Sequence, residues 1–378
     1  MKKNMSISRS GFALGISLLL LGSICSAQWS SRGPAPRLGH SAVLDTATNK
    51  MIIFGGYTFT PDSPSAAHFN DVWYLTTATS TNPNETWQQV TPSGTSPSPR
   101  GGHTAVYDSA NSRMIVFGGS GGFADPVYND VWVLENANGK DGTPTWVELS
   151  PAGTAPSARF YHVAAYNPNS NRMIVFGGDN GDGIDFSDVW ILENANGLGG
   201  TPTWVNFIPN DSTGCPSPRN LTTIAYDVAD NVITLFGGFA TATESLLNDT
   251  WVLFGADGTG SCSNVDCFSG PANPQNVTQP PAREGQSSFY DAKTKTVHMF
   301  GGYDGTNILN DYWVLTGANN LSAAWKQVSP TGTAPLPRFN HTSVYDSSNY
   351  RMIIFGGEIA TNGLLTDTVN ILSDANTQ

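Results

Sequence analysis

Short apolar runs rich in β-branched residues recur along this chain, and each ends in two glycines. MIIFGG (51–56) returns with small changes at Gly118-Gly119, Gly177-Gly178, Gly237-Gly238, Gly301-Gly302 and Gly356-Gly357, at intervals of 63, 59, 60, 64 and 55 residues. A short run of this kind reads as a strand buried on both faces, and the paired glycines mark a sharp turn or the close approach of another backbone. Six copies at a near-constant interval predict six structural units rather than one site.

The polar and apolar pattern between the glycines completes each unit. In the first, a proline-limited lead-in and an alternating strand (34–45) pass through the polar turn TATNK into MIIF; NDVWYL (70–75) then predicts a third strand and TWQQV (86–90) a fourth. Four strands make a small antiparallel sheet. Tryptophans follow the same grammar: Trp73, Trp132, Trp190, Trp251 and Trp313 on third strands, Trp87, Trp146, Trp204 and Trp325 on fourth strands. The fourth unit has no fourth-strand tryptophan, and a Gly-, Ser-, Asn- and Pro-rich stretch (255–281) stands in its place. The sixth unit stops after its third strand, while Trp29 precedes the first unit as the other fourth-strand tryptophans precede theirs. The segment around Trp29 is therefore expected to supply the last outer strand and close a ring, since an open ring would leave a strand edge unpaired.

Residues 1–27 stand outside the repeat. Lys2, Lys3 and Arg9 precede an apolar run (11–24) and the small residues Ser26 and Ala27, the pattern of a secretory leader cut after Ala27. A lipidated Cys25 is the weaker reading, because Ile24 stands where such signals carry a small residue. A single six-unit domain over 28–378 follows, expected to be secreted, periplasmic or on the cell surface, without membrane insertion, and monomeric. The whole chain carries a net charge of −12; without the leader, 15 Lys and Arg face 30 Asp and Glu, a net charge of −15. Such a surface repels phosphate backbones, so nucleic acid is not an expected partner. In an oxidising compartment Cys262 and Cys267, close together in one irregular stretch, are expected to pair, which leaves Cys215 without an assigned partner.

A double glycine after an apolar strand, Asn-Asp-x-Trp, a later tryptophan, and a proline-led arginine with a following histidine together resemble the kelch repeat. The resemblance covers essentially all of the chain after the leader and implies an all-β, six-bladed propeller. It implies little about function, because kelch propellers bind peptides, act on sugars and serve as scaffolds. Copper-radical oxidases of this fold carry further domains and a Cys-Tyr constellation that this chain lacks, so no cofactor is expected.

Several chemical readings compete with structural ones. His40, His103, His162 and His341 each follow a leading arginine (Arg37, Arg100, Arg159, Arg338) by three residues, with Thr222 and Gln286 in the other two units. A ring of imidazoles around a channel is the metal reading; an inter-blade niche filled six times is the structural one, and repeat equivalence favours it. The arginines and the aspartates of the third strands (Asp71, Asp130, Asp188, Asp249, Asp311, Asp367) are read the same way. The acidic loop Asp179 to Asp185 has oxygen ligands for Ca²⁺ but not the spacing of an EF-hand, and reads as a polar turn.

Variation on the repeated frame is where specificity is expected. What the resemblance implies is a channel mouth formed by the residue after each double glycine and those after each leading arginine. In this sequence these are Tyr57, Ser120, Asp179, Phe239, Tyr303 and Glu358, joined by Phe160, Tyr161, Glu284, Phe339 and Asn340, with paired glycines in the second unit. Aromatic faces beside carboxylates suit a glycan or a protein ligand, including a cationic peptide. Three functions remain open: ligand binding, which leads; sugar isomerisation or cleavage by the carboxylates at the mouth; and a structural role in the cell envelope. Catalysis is not the expected outcome, and no catalytic or metal residues are assigned.

Overall fold

The structure is a computed structural model that describes residues 33–60, 63–76, 78, 86–122, 126–260, 267–270, 278–318 and 323–373. The leader, Trp29 with its expected closing strand, and Cys262 with its expected pairing to Cys267 lie outside the described residues.

Each double-glycine run forms the second strand of an antiparallel sheet. The first blade consists of strands Ser41–Asp45, Lys50–Phe54, Val72–Leu75 and Trp87–Val90 in that order. Four further sheets repeat the order, and the sixth has three strands among the described residues, Thr342–Asp346, Arg351–Phe355 and Val369–Leu372. The innermost strands of consecutive blades touch, and Ser41–Asp45 touches both Thr104–Asp108 and Thr342–Asp346, so the six form a closed ring. This is the six-bladed all-β propeller expected from the repeat.

Second strands lie between neighbouring blades, which explains their apolar character on both faces: Met51, Ile52, Ile53 and Phe54 are all fully buried. The final phenylalanine of five of the six runs receives an outer-strand ring from the next blade. Trp146 meets Phe54 at 4.9 Å between ring centroids, Trp204 meets Phe117 at 5.0 Å, Trp325 meets Phe236 at 5.1 Å and Trp87 meets Phe355 at 5.0 Å. In the fourth blade the short outer strand Phe268–Ser269 supplies Phe268, 6.1 Å from Phe176, in place of the missing tryptophan. The sequence hid this strand inside an irregular stretch. Phe300 alone receives no outer-strand ring among the described residues, and a groove of about 380 Å³ lies beside it, lined in part by Tyr312, Met352, Ile354 and Leu372.

The leading arginines hold the frame. Arg159 Nη1 donates to the Gly177 carbonyl at 2.9 Å, and its guanidinium grips Asp188 through two hydrogen bonds of 2.7 and 3.0 Å. Trp190 Nε1 donates to the same carboxylate at 2.7 Å. Equivalent sets join Arg37 to Asp71, Arg100 to Asp130, Arg219 to Asp249 and Arg283 to Asp311. The sixth blade departs from the expectation: Asp367 is exposed, and Arg338 donates instead to Asn370 Oδ1 at 2.7 Å and Thr368 Oγ1 at 3.2 Å. With neutral partners only, burial lowers the Arg338 pKa to about 10.

The second glycine of each pair ties blade to blade. Gly56 N–H donates to the Arg100 carbonyl at 2.8 Å, the bond recurs at each later blade, and Gly357 N–H closes the circle on Arg37 at 2.9 Å. Gly56 adopts φ +92°, and a Cβ there would lie 2.7 Å from His40 Cβ, so both conformation and space require glycine.

At the opposite end of the channel, side-chain amides staple neighbouring blades. Asn138 Nδ2 donates to Asp45 at 2.9 Å and Asn196 Nδ2 to Asp108 at 2.7 Å. The next staple is reversed: Asn167, in the aspartate position, donates to Asp257, in the asparagine position, at 2.8 Å. Asn167→Asp alone places two buried carboxylates in contact and should lower the unfolding free energy by about 2 kcal/mol. The double exchange Asn167→Asp with Asp257→Asn recreates the arrangement of the preceding blades and should recover most of that loss in urea unfolding. Equal loss in the single and double variants would show that the staple contributes nothing.

Candidate functional site at the channel mouth

The mouth lies at the start of the innermost strands, where the second strands also end. There the residue after each leading arginine forms a two-residue antiparallel bridge with the residue after each double glycine. The pairs are Leu38 with Tyr57, Gly101 with Ser120, Phe160 with Asp179, Asn220 with Phe239, Glu284 with Tyr303, and Phe339 with Glu358. The two sets of positions expected at the mouth are thus one set of six pairs. Leu38 and Asn220 belong to it as well; their place after Arg37 and Arg219 was the signal that could have found them.

One residue further on, the backbone turns left-handed in every blade, at Gly39, Gly102, Tyr161, Leu221, Gly285 and Asn340. Each N–H donates to the carbonyl of its counterpart in the preceding blade, from Gly102 to Gly39 at 2.8 Å and Tyr161 to Gly102 at 2.7 Å, round to Gly39 on Asn340 at 3.4 Å. Three of the six are not glycine, and the conformational cost of φ near +50° at Tyr161, Leu221 and Asn340 is borne by this ring of hydrogen bonds. Beneath it lies a chamber of about 130 Å³.

The glycines of the second blade shape the mouth above the ring. A Cβ at Gly101 would lie 2.3 Å from the Tyr57 ring, and one at Gly102 would lie 3.1 Å from the Tyr161 ring. In the space they leave, the hydroxyls of Tyr57 and Tyr161 hydrogen-bond to each other across the second blade. Burial is the main cause that raises both phenols, Tyr161 to about 12. Glu284 and Glu358 lie within electrostatic reach of Tyr161, and Glu358 of Tyr57 also. Burial pushes the Glu284 carboxyl up to about 7 and raises that of Glu358, which a hydrogen bond from Gly363 N–H at 3.1 Å partly offsets.

Aromatic rings flank these carboxyls. Tyr303 and Phe339 come from adjacent blades, with centroids 5.6 Å apart, and Phe160 packs on Tyr161 at 4.8 Å. Tyr57, Phe160, Tyr161, Phe239, Glu284, Tyr303, Phe339 and Asn340 are all half-buried, a state compatible with contact to a ligand. Asp179 is buried and turned into its own loop, where Oδ1 accepts the Gly181 N–H at 2.5 Å. Its neighbour Asp185 accepts hydrogen bonds from Asn220 at 2.6 Å and from the Thr241 N–H at 2.6 Å. The loop from Asp179 to Asp185 is thus held by its own side chains.

The histidines occupy the inter-blade niche. The Nε2 atoms of His40, His103, His162 and His341 are bonded to hydroxyls of the preceding blade, on Thr342, Ser41, Thr104 and Ser287, at 2.7 to 2.9 Å. Gln286 fills the same niche with a hydrogen bond to the Phe236 carbonyl at 3.0 Å. Burial lowers the histidine pKa values, to about 3 at His103 and His341, so the belt is neutral. Among the described residues no group of three or more His, Cys, Asp or Glu is placed to hold a metal ion.

The family model for the KLHDC2/KLHL20/DRC7 Kelch-repeats domain matches residues 21–144 and 140–267. An F-box/kelch-repeat protein of Arabidopsis thaliana is 27% identical over 356 residues, covering 89% of this chain and 68% of its own length. Host cell factor of Drosophila melanogaster is 31% identical over 156 residues and tip elongation aberrant protein 1 of Schizosaccharomyces pombe 32% over 157, covering 39% and 42% of this chain. The matched parts are only 10% and 12% of those two proteins. The solved structure of YjhT superposes with a TM-score of 0.59 at 14% identity, over 92% of this chain and 97% of its own, a likeness of fold.

Because the fold holds Glu284 preferentially in its neutral form, this group contributes stability that is fully present below the ordinary glutamate range and is lost as pH rises through about 7. Glu284→Gln should therefore raise the thermal midpoint at pH 8 and leave it nearly unchanged at pH 4. A rise of equal size at both values would contradict the assigned protonation.

Proposed function

This chain belongs to the kelch-repeat family, and from that premise we propose that it is a binding propeller that seats a segment of a protein partner on the channel mouth. The observation that carries the reading is the set of six bridged pairs. Two closed circles of backbone hydrogen bonds hold them, yet their side chains differ in every blade. A frame so constrained fixes the mouth before any ligand arrives, which lowers the entropy cost of binding. Above it the chain after the double glycine differs from blade to blade, from the hairpin Tyr57–Thr60 with Ser63–His68 in the first to the short pair Glu358–Ala360 and Leu364–Leu365 in the sixth. Unequal hairpins around one mouth suit an extended, asymmetric ligand.

A second reading has one observation in its favour. A carboxyl poised near pH 7, as Glu284 is, suits proton transfer to or from a sugar.

Selection of a random dodecapeptide library on the full chain tests the first reading. The expected result is enriched peptides whose affinity falls at least tenfold in both Tyr303→Ala and Phe339→Ala. Failure to enrich any peptide, or peptides indifferent to both substitutions, would overturn it. A glycan array with product analysis, in which a sugar is bound or altered by the chain but not by Glu284→Gln, would put the second reading in its place.

A further inference from the structure

We infer that the mouth takes a cationic side chain, lysine or arginine, of the bound peptide, held between the carboxylates of Glu284 and Glu358 and the rings of Tyr303, Phe339, Tyr57 and Tyr161. The inference rests on the peptide-binding reading and names what the mouth selects. Its geometric basis is convergence from neighbouring blades. Glu284 is bridged to Tyr303 in the fifth blade, Glu358 to Phe339 in the sixth, and the two rings meet each other. Tyr161 lies within electrostatic reach of both carboxyls, and Tyr57, hydrogen-bonded to Tyr161, within reach of Glu358.

Charge then decides the ligand. Every leading arginine is buried, at 0 or 1% exposure, and its guanidinium is turned away from the mouth toward its own third strand. Neither Glu284 nor Glu358 forms an ion pair among the described residues. Glu358 is nine-tenths buried, yet only one of its oxygens receives a hydrogen bond there, from Gly363. A largely buried carboxylate with one hydrogen bond is costly as an anion, and a cation arriving from a ligand lowers that cost. The aromatic faces add cation–π attraction to the same charge. An acidic or phosphorylated ligand meets two carboxyls and, among the described residues of the mouth, no guanidinium. A sugar hydroxyl makes the hydrogen bond but does not neutralise the charge.

Cation binding must also be linked to the protonation of Glu284. The groups around it are its bridge partner Tyr303, Tyr161 within electrostatic reach and, beside Gly285, the Asn340 amide; none carries a positive charge, and the adjacent Arg283 is committed to Asp311. A cation selects the ionised form, so affinity should rise about tenfold between pH 6 and pH 8, as the ionised fraction of a group titrating at about 7 rises by that factor.

The probes are the selected dodecapeptides that lose affinity in Tyr303→Ala, synthesised with blocked termini and without histidine or cysteine so that their own titration does not intrude. Replacing one Lys or Arg in each by Gln should weaken binding to the full chain at least tenfold. Glu358→Gln should weaken binding of the parent peptides, and Glu284→Gln should both weaken it and flatten the pH dependence. Peptides that depend on Tyr303 but need no basic residue, or bind equally at pH 6 and pH 8, would overturn this inference while leaving the peptide-binding mouth in place. If no peptide depends on Tyr303, both fall together.

Discussion

The guanidinium of the leading arginine is the group on which the rest of the structure depends. It sits at 0 or 1% exposure in all six blades, a place where a charge is tolerated only with its donors satisfied. Satisfying them fixes the blade: one donor reaches the carbonyl of the first glycine, and the fork closes on the aspartate of the third strand, which also receives the tryptophan Nε1–H. The arginine's own carbonyl then takes the second-glycine N–H of the preceding blade, so one residue links the lead-in, the second and third strands and the neighbouring unit. The motif spacing is a consequence, since arginine and acceptor glycine lie 18 residues apart in every blade.

Anchoring at that point leaves the adjacent positions free to vary. The residue after each arginine and the residue after each double glycine are bridged in every blade through their backbones, so leucine, glycine, phenylalanine, asparagine and glutamate all serve in the first of these places. Divergence is possible there because the frame does not consult the side chain. The paired glycines of the second blade show how divergence in one unit acts on others: their missing side chains let tyrosines of the first and third blades meet.

Much of this was legible in the sequence, because six repetitions turn weak signals into firm ones. Strand order, blade number and the inter-blade role of the histidines followed from equivalence between units, whereas Leu38 and Asn220, paired with Tyr57 and Phe239, were passed over. Departures from equivalence were harder. Phe268 replaces a tryptophan within a stretch that has no strand pattern of its own, and Asp367 matches the motif while Asn370, three residues further on, takes the role. The reversed Asn167 and Asp257 pair was present in the letters, but only the distance between them gave it meaning. Burial of Asp179 was equally invisible, because a carboxylate turned inward and one presented to a ligand read alike.

The central claim is that the arginine and the acceptors that meet it, rather than the motif letters, hold each blade. Urea unfolding of Asp188→Ala beside Asp367→Ala tests it most directly, since both are the motif aspartate but only the first meets its arginine. Leaving Arg159 buried without its partner should cost about 3 to 5 kcal/mol, whereas loss of the exposed Asp367 should change stability by less than about 0.5 kcal/mol. Equal effects of the two substitutions would contradict the account.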